Sequence, residues 1–272
     1  MKKILVIPKD LNNLGKILKK DINGIILPIK DLSVNFTTYF TIEDIKDIIN
    51  LTSKEICVII NKTMHKKDLP LLEETLIKLN KLNITKIIFY DLAVLNLKEK
   101  LNISKELVIY QEHLNASSNS NQFYQKRNVK YSIITNDITK DEINEISKNN
   151  RIMLISYGYL PIFYSKRHLI TNYLEHINEA KEDVMYYIKA NKDRYPILEE
   201  KNGTTIYTKE PINLINEINN INVDYIILNA FNIEDKIFID TLDNYLENKK
   251  EERNLYTGFL NKKTVYNKKD YE

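Results

Sequence analysis

Cysteine is almost missing from this chain: among 272 residues there is one, Cys57. An intrachain disulfide is therefore impossible, and cysteine-built iron–sulfur or zinc centres, which need several thiolates, are excluded. Cys57 lies inside Ile56-Cys57-Val58-Ile59-Ile60, where a free thiol behaves as a small buried hydrophobe. With no disulfide to maintain, a reducing, cytoplasmic compartment is expected. Tryptophan is absent, and glycine (five) and proline (six) are scarce. Neither a dinucleotide fingerprint nor a P-loop can be assembled from so few glycines at these positions. The four histidines, His65, His113, His168 and His176, show no HExxH spacing, so no metal site is expected. Charge of one sign is lacking too: 40 basic residues against 37 acidic give a net charge of +3. That balance excludes a protein whose whole surface grips nucleic acid and leaves a local basic patch open. No stretch approaches the roughly 20 apolar residues of a membrane span. The basic-then-apolar start ends at Pro8-Lys9-Asp10, short of the roughly 7–15 apolar residues of a signal peptide. A soluble protein with no membrane partner is expected.

What the chain does contain is a repeated unit: a short apolar run, a polar turn, then a helical pattern. The runs fall at Ile4–Ile7, Gly24–Leu27, Ile56–Ile60, Ile87–Tyr90, Leu107–Tyr110, Tyr131–Thr135, Ile152–Ser156 and Tyr225–Leu228. They are apolar without alternation, as parallel strands covered on both faces should be. Helices are expected between them: Leu11–Lys20, one capped by Thr41 with Asp44 three residues on, Leu69–Leu82, Ala116–Arg127, one capped by Thr139 with Glu142, Pro211–Ile221 and Ile233–Leu246. Eight alternating units in a chain of this length read as an α/β fold, a (β/α)8 TIM-like barrel, which typically takes about 250 residues. An open doubly wound sheet is the competing arrangement.

One connection breaks the rhythm. About 68 residues separate the seventh and eighth runs, far beyond an ordinary βα loop. A helix over Leu174–Lys189 is expected there, followed by a hairpin of Arg194–Glu200 and Thr204–Thr208 turning at Asn202-Gly203. We expect one barrel domain over residues 1–248 that includes an insertion at 157–211, then a C-terminal tail over 249–272. Tyr256, Phe259 and Tyr266 are the residues that could dock that tail. Insertions after barrel strands sit at the C-terminal mouth, where active sites are built.

The mouth supplies the candidate site. Glu112 and His113 close the fifth strand and could act as an acid/base pair, with Asp137 at the end of the sixth. The plainer reading is a polar strand end. Asn61, Asp91, Asn136 and Asn229 end other strands and could bind a polar ligand, as almost any barrel rim could. More distinctive is Tyr157-Gly158-Tyr159-Leu160-Pro161-Ile162-Phe163-Tyr164-Ser165-Lys166-Arg167-His168. Tyr157, Tyr164, Ser165, Lys166 and Arg167 could stack bases and hold phosphates. The same aromatics could equally pack an insertion onto the barrel.

This segment resembles the signature of the collagenase-like peptidase family U32, of the form His-Gly-x-x-Cys-x-x-Tyr-Ser-Gly-Arg-Cys. Gly158, Tyr164, Ser165 and Arg167 match it. Asp91 with Val94-Leu95, the strand and helix over Asn128–Ile146, and the hairpin through Asn202-Gly203-Thr204 extend the resemblance over Ile84 to Tyr266. Within the family the chain is most similar to a short subtype of Gram-positive bacteria that acts in making 5-hydroxyuridine at the wobble position of tRNA. Ser165-Lys166-Arg167, Asn172-Tyr173-x-Glu175, Thr257-Gly258-Phe259 and Thr264-Val265-Tyr266 carry that closer likeness. The resemblance implies a barrel, a role in a prephenate-linked tRNA hydroxylation pathway, and a cluster-bearing paralogue as partner, with tRNA as a further partner. Pro161 and His168 stand where the signature has cysteines, Tyr157 where it has histidine. Asn136-Asp137 replace an Arg-Glu pair, and Asn229 and Phe231 replace an acid and an arginine. The resemblance therefore implies a subunit without an iron–sulfur cluster. A protease, suggested by the family's title, and a non-catalytic scaffold are the alternatives; no Ser-His-Asp order supports the first.

Overall fold

In the computed structural model, which describes residues 2–182 and 185–262, the apolar runs pair side by side, all in one direction. The order in the chain is β1 (Lys3–Ile7), α1 (Leu11–Ile17), β2 (Gly24–Pro28), α2 (Ile42–Leu51), β3 (Glu55–Ile60), α3 (Leu69–Asn80), β4 (Lys86–Phe89) and α4 (Leu92–Lys100). Next come β5 (Glu106–Tyr110), α5 (Ser118–Gln125), β6 (Val129–Ile133), α6 (Lys140–Ser147) and β7 (Ile152–Gly158). After the insertion described below, β13 (Tyr225–Asn229) and α8 (Asp235–Glu247) complete the series. Strands β1 to β6 pair in chain order, β6 pairs with β7, β7 with β13 and β13 with β1. The ring closes. An open doubly wound sheet would leave two edges; here every one of the eight parallel strands has a neighbour on both sides. The fold is a TIM barrel.

The two expected capping boxes form: Thr41 with Asp44 opens α2, and Thr139 with Glu142 opens α6. Helix α4, unforeseen from the weak apolar period of its residues, starts because the Asp91 carboxylate accepts the Ala93 N–H. No helix among the described residues is long and apolar enough to cross a membrane.

The insertion is a second, four-stranded antiparallel sheet. It comprises β8 (Pro161–Ser165), β9 (Tyr186–Ala190), β10 (Asp193–Glu200) and β11 (Gly203–Tyr207), ordered β8-β11-β10-β9, with α7 (Leu169–His176) on one face. Two expectations need correction here. The helix expected over Leu174–Lys189 begins five residues earlier and ends where Asn178 turns left-handed (φ 58°); Tyr186–Ala190 are a strand. Part of that expected helix, Asp183 and Val184, lies outside the described residues. The helix expected over Pro211–Ile221 is instead β12 (Ile212–Asn213), antiparallel to the end of β7, followed by a single 3-10 turn at Ile218–Asn220. Its residues from Ile212 through Ile215 are all buried, which leaves no solvent face for a helix. The hairpin forms, but its turn is Lys201-Asn202, and Gly203 already pairs with Glu200. Glycine is required at that point because a Cβ would sit 2.1 Å from the Ser165 carbonyl oxygen of β8, at a φ of +141°.

After Lys249 the chain returns to the mouth. The Tyr256 carbonyl accepts the Asn213 N–H (2.9 Å), the Leu260 carbonyl accepts the Lys140 N–H (2.9 Å), and Leu260 is buried. Tyr266 lies outside the described residues.

Candidate functional site

The barrel strands all end on one side, and the insertion sheet lies across that opening. Tyr207, the last residue of β11, drops into it: the ring is 2% exposed and stacks on Phe231 with centroids 4.5 Å apart. Its hydroxyl has no hydrogen-bond partner among the described residues. The sheet is tied down beside it. Glu200 accepts the Asn35 N–H (2.8 Å) and the Tyr39 hydroxyl, and the Thr205 hydroxyl donates to Asn35 Oδ1 (2.6 Å). Residue pairing puts Thr205 and Tyr164 on this barrel-facing side, while Phe163, Ile206 and Ile197 share the side that carries α7. The centre of the mouth is thus plugged by protein, and access remains only at its margins.

Besides a basic recess around Lys62, His65, Lys67, Lys166 and Lys201, two openings remain there. One is a slot of about 310 Å³, open solvent included, between Tyr90, Tyr164, Asn35, Asn61 and Glu112. The other is a half-open cleft of about 510 Å³ beneath the returning C-terminal segment, walled by His113, Asp137, Asn136, Pro161, Tyr256 and Phe259. Glu112 borders both. Its backbone is left-handed (φ 42°), a conformation that costs a non-glycine residue about 1 kcal/mol or more. Burial pushes the Glu112 carboxyl above its usual range, and the neighbouring His113 charge only partly opposes this.

His113 and Asp137 are brought together across the ends of β5 and β6. His113 Nδ1 lies 2.5 Å from Asp137 Oδ2, and the Thr135 hydroxyl donates to the same carboxylate (2.9 Å). The Asp137 bond raises the His113 pKa, against partial burial, and the Pro161 backbone adds to the effect. Asp137 shifts the other way, lowered chiefly by His113. The pair is therefore a hydrogen-bonded clamp between the ends of β5 and β6, in which the Asp137 contact favours the charged form of His113. Glu112 lies beside the pair, its carboxyl bordering both openings.

The remaining expected residues separate into three groups. Tyr164 and Lys166 face the openings: Tyr164 is 38% exposed, and Lys166 Nζ lies 3.2 Å from His65 Nε2. Asn61 and Asn136 border an opening but hold the framework with their amides. Asn61 accepts the Val34 N–H (2.9 Å) and donates to the Val34 carbonyl (3.0 Å); Asn136 donates to the Ile155 carbonyl (2.9 Å). Five others border none of the described openings. Asp91 caps α4 and also accepts the Met64 N–H. Asn229 accepts the Phe231 N–H. Ser165 accepts the Arg167 backbone N–H, and Arg167 is exposed. Tyr157 is buried outside the ring against Phe238, at 5.9 Å. Gly158 earns its place sterically: a Cβ would lie 2.7 Å from the Asn229 carbonyl oxygen, at a φ of +130°.

Sequence reasoning missed Tyr39, Asn35, Tyr90, Glu200 and Tyr207, because their meeting depends on where the insertion folds back. It also missed a basic group. Lys62 and Lys67 lie in the β3–α3 connection beside His65, and Lys201 in the β10–β11 turn. The run Lys62 to Lys67 carries three lysines and a histidine directly after a barrel strand, a signal that was available.

The family model described as Peptidase family U32 matches residues 9–234. The chain belongs to this family. Peptidase family U32 also includes the solved U32 peptidase Mk0906, which superposes with a TM-score of 0.56 at 11% identity, over 85% of this chain and 93% of that one. That likeness concerns the fold. The protein named tRNA hydroxylation protein P2, from Bacillus subtilis (strain 168), is 24% identical over an alignment that takes in 97% of this chain and 98% of the relative.

The residues present do not fit an iron–sulfur cluster. Such clusters are held by several cysteine thiolates. The one thiol here, Cys57, is fully buried in β3, and burial pushes it up to about 12. Pro161 and His168, at the signature's cysteine positions, supply no thiolate. Among the described residues no three His, Cys, Asp or Glu side chains converge to hold a metal ion.

Proposed function

We propose that this chain acts in tRNA wobble-uridine 5-hydroxylation, as the subunit without a cluster beside a cluster-bearing paralogue. The observation that carries this reading is the end-to-end alignment with tRNA hydroxylation protein P2, which leaves no large part of either chain unmatched. Hydroxylation at C5 replaces a C–H bond by C–OH, a two-electron oxidation. The chain's only thiol is buried, so the two-electron oxidant, together with the oxygen, is assigned to the cluster-bearing partner and the prephenate-linked pathway and not to this chain. This chain's share is binding and proton handling. Glu112 is the proton-exchanging group at the opening, His113 with Asp137 positions it, and Tyr164, Lys166 and Asn136 contact the ligand. Asn61, Asp91, Tyr157, Ser165, Arg167 and Asn229 support the loops that carry those residues.

Deleting the gene and analysing tRNA nucleosides by mass spectrometry tests the reading. The expected result is loss of 5-hydroxyuridine and its derivatives, restored by the wild-type gene and poorly by Glu112→Gln. Unchanged modification would reject the process. Modification that is lost, in cells where the tagged chain co-purifies with no cysteine-bearing family member, would reject the subunit assignment alone. Proteolysis has less support: among the described residues no serine or cysteine side chain hydrogen-bonds His113, so an activated nucleophile is missing.

A further inference from the structure

Beside the Tyr90–Tyr164 slot lies a second recess, of about 550 Å³ with open solvent included, whose lining is unlike the rest of the rim. Three separate pieces of chain meet there. The β3–α3 connection contributes Lys62, His65 and Lys67, the end of β8 contributes Lys166, and the β10–β11 turn contributes Lys201. Against four lysines the recess has one carboxylate, Asp68, already bonded to Lys62 at 3.0 Å. Lys201 reaches Asp31 at 4.0 Å, the limit of an ion pair. Lys67 and Lys166 have no carboxylate within 4.0 Å among the described residues; the nearest polar partner of Lys166 is His65, at 3.2 Å. So many cations around one concavity, with so little countercharge, favour an anion there.

Tyr164 forms the wall common to recess and slot. Its hydroxyl is fixed by donation to the Asn202 carbonyl (2.7 Å), so the ring is held as a partition and not as a loose surface side chain. On the slot side it faces Tyr90, with Asn35 and Glu112 as polar groups. Asn35 uses its Oδ1 on Thr205, which leaves its Nδ2 as a donor. An anion on one side of an aromatic partition, and an aromatic slot with a few polar groups on the other, match the two halves of a nucleotide.

We propose that this is a single-nucleotide RNA site: a backbone phosphate on Lys67 and Lys166, and the attached base turned into the slot against Tyr164 and Tyr90. A base turned into the slot must be unpaired, because a stacked and paired base stays within its helix. Asn35 and Glu112 would then meet the base edge. This draws on the tRNA reading above for the kind of nucleic acid, while the location and the division of labour rest on the recess and the partition.

Binding of a fluorescently labelled tRNA anticodon stem-loop to the purified full chain, read by anisotropy across a salt series, tests it. The variant Lys67→Glu/Lys166→Glu should bind about tenfold or more weakly, and its log–log salt slope should flatten by about 1.4, the value for two lost single-strand phosphate contacts. Tyr164→Ala should weaken binding about tenfold through lost stacking and leave the salt slope unchanged. The control Lys46→Glu/Lys78→Glu makes the same change in net charge on α2 and α3 and should bind like the wild type. Matching melting curves certify that the variants fold. Equal losses in test and control variants would overturn the site, as would an absence of wild-type binding. Competition by poly-glutamate at equal charge that matches RNA would overturn the RNA assignment in favour of an acidic protein. The nucleoside assay is independent: lysine-dependent RNA binding with unchanged tRNA modification leaves this site standing and removes the proposed function.

Discussion

Neighbouring residues at the mouth are poised for opposite charge states by different causes. Burial favours a neutral Glu112, whereas the Asp137 bond favours a charged His113. The His113 pKa is raised above 6.5 in the fold, so its contribution to stability is complete below that value and is lost as pH rises through the raised pKa. Asp137 is lowered below 3.8, so its contribution is complete above that value and is lost as pH falls through the lowered one. The clamp therefore works best between the two reference values. His113→Gln should lower the melting temperature most between the two reference values, near pH ~5.5, and progressively less as pH rises through the raised His113 pKa. A melting difference independent of pH would mean that His113 acts by packing alone.

Elements that complete themselves locally were legible in the sequence, and those completed from a distance were not. The barrel strands show as apolar runs because both faces are covered, and α2 and α6 announce themselves through their own capping boxes. Helix α7 is different. Its first N–H, at Leu169, is accepted by the Thr204 hydroxyl, and the next two, at Ile170 and Thr171, by the carboxylate of Glu199, which also takes hydroxyls of Thr171 and Thr204 and the Lys181 ammonium. A cap arriving from 29 residues downstream leaves no mark near the helix start, and the sequence pattern placed the helix too late. The candidate site divides along the same line. Glu112, His113, Tyr164 and Lys166 were found because they follow barrel strands or the signature, while Tyr39, Asn35 and Glu200 meet only through tertiary folding. Burial alone would raise Glu199, but its donors outweigh this and bring it to about 2. A depressed carboxylate stabilises fully above its reference value of 4.5 and stops doing so as pH falls through about 2. Glu199→Ala should free the helix from its sheet while leaving the barrel intact. Hydrogen exchange should then speed up about tenfold or more at Leu169–His176, without change in β1 to β6. Uniform acceleration would show that insertion and barrel unfold as one unit.

At the scale of the whole molecule, the barrel separates its tasks by end. The mouth holds the cation-rich recess and the left-handed Glu112, whose backbone conformation costs stability. The opposite end, where strands begin, is cross-braced. Lys86, 4% exposed at the start of β4, reaches Glu55 of β3 at 2.6 Å and Glu106 of β5 at 3.8 Å, and lies 5.0 Å from the centre of the Tyr225 ring. Tyr225 in turn donates to Glu55 (3.2 Å), and Lys3 of β1 reaches Glu55 at 3.5 Å. Burial works against the Lys86 charge, yet the Glu55 bond prevails and its pKa is raised. One charged network thus links β1, β3, β4, β5 and β13 across the barrel floor. Deleting one partner of such a buried pair leaves the other uncompensated, whereas an apolar chain of similar length spares part of that loss. Lys86→Ala should therefore lower the unfolding free energy by about 3 kcal/mol, and Lys86→Met by clearly less. Urea denaturation followed by circular dichroism measures both. Neither change should alter RNA affinity per folded molecule, because the recess draws on the other ends of the strands. A Lys86 variant that stays folded but loses affinity would show that floor and mouth are energetically coupled, against the division drawn here.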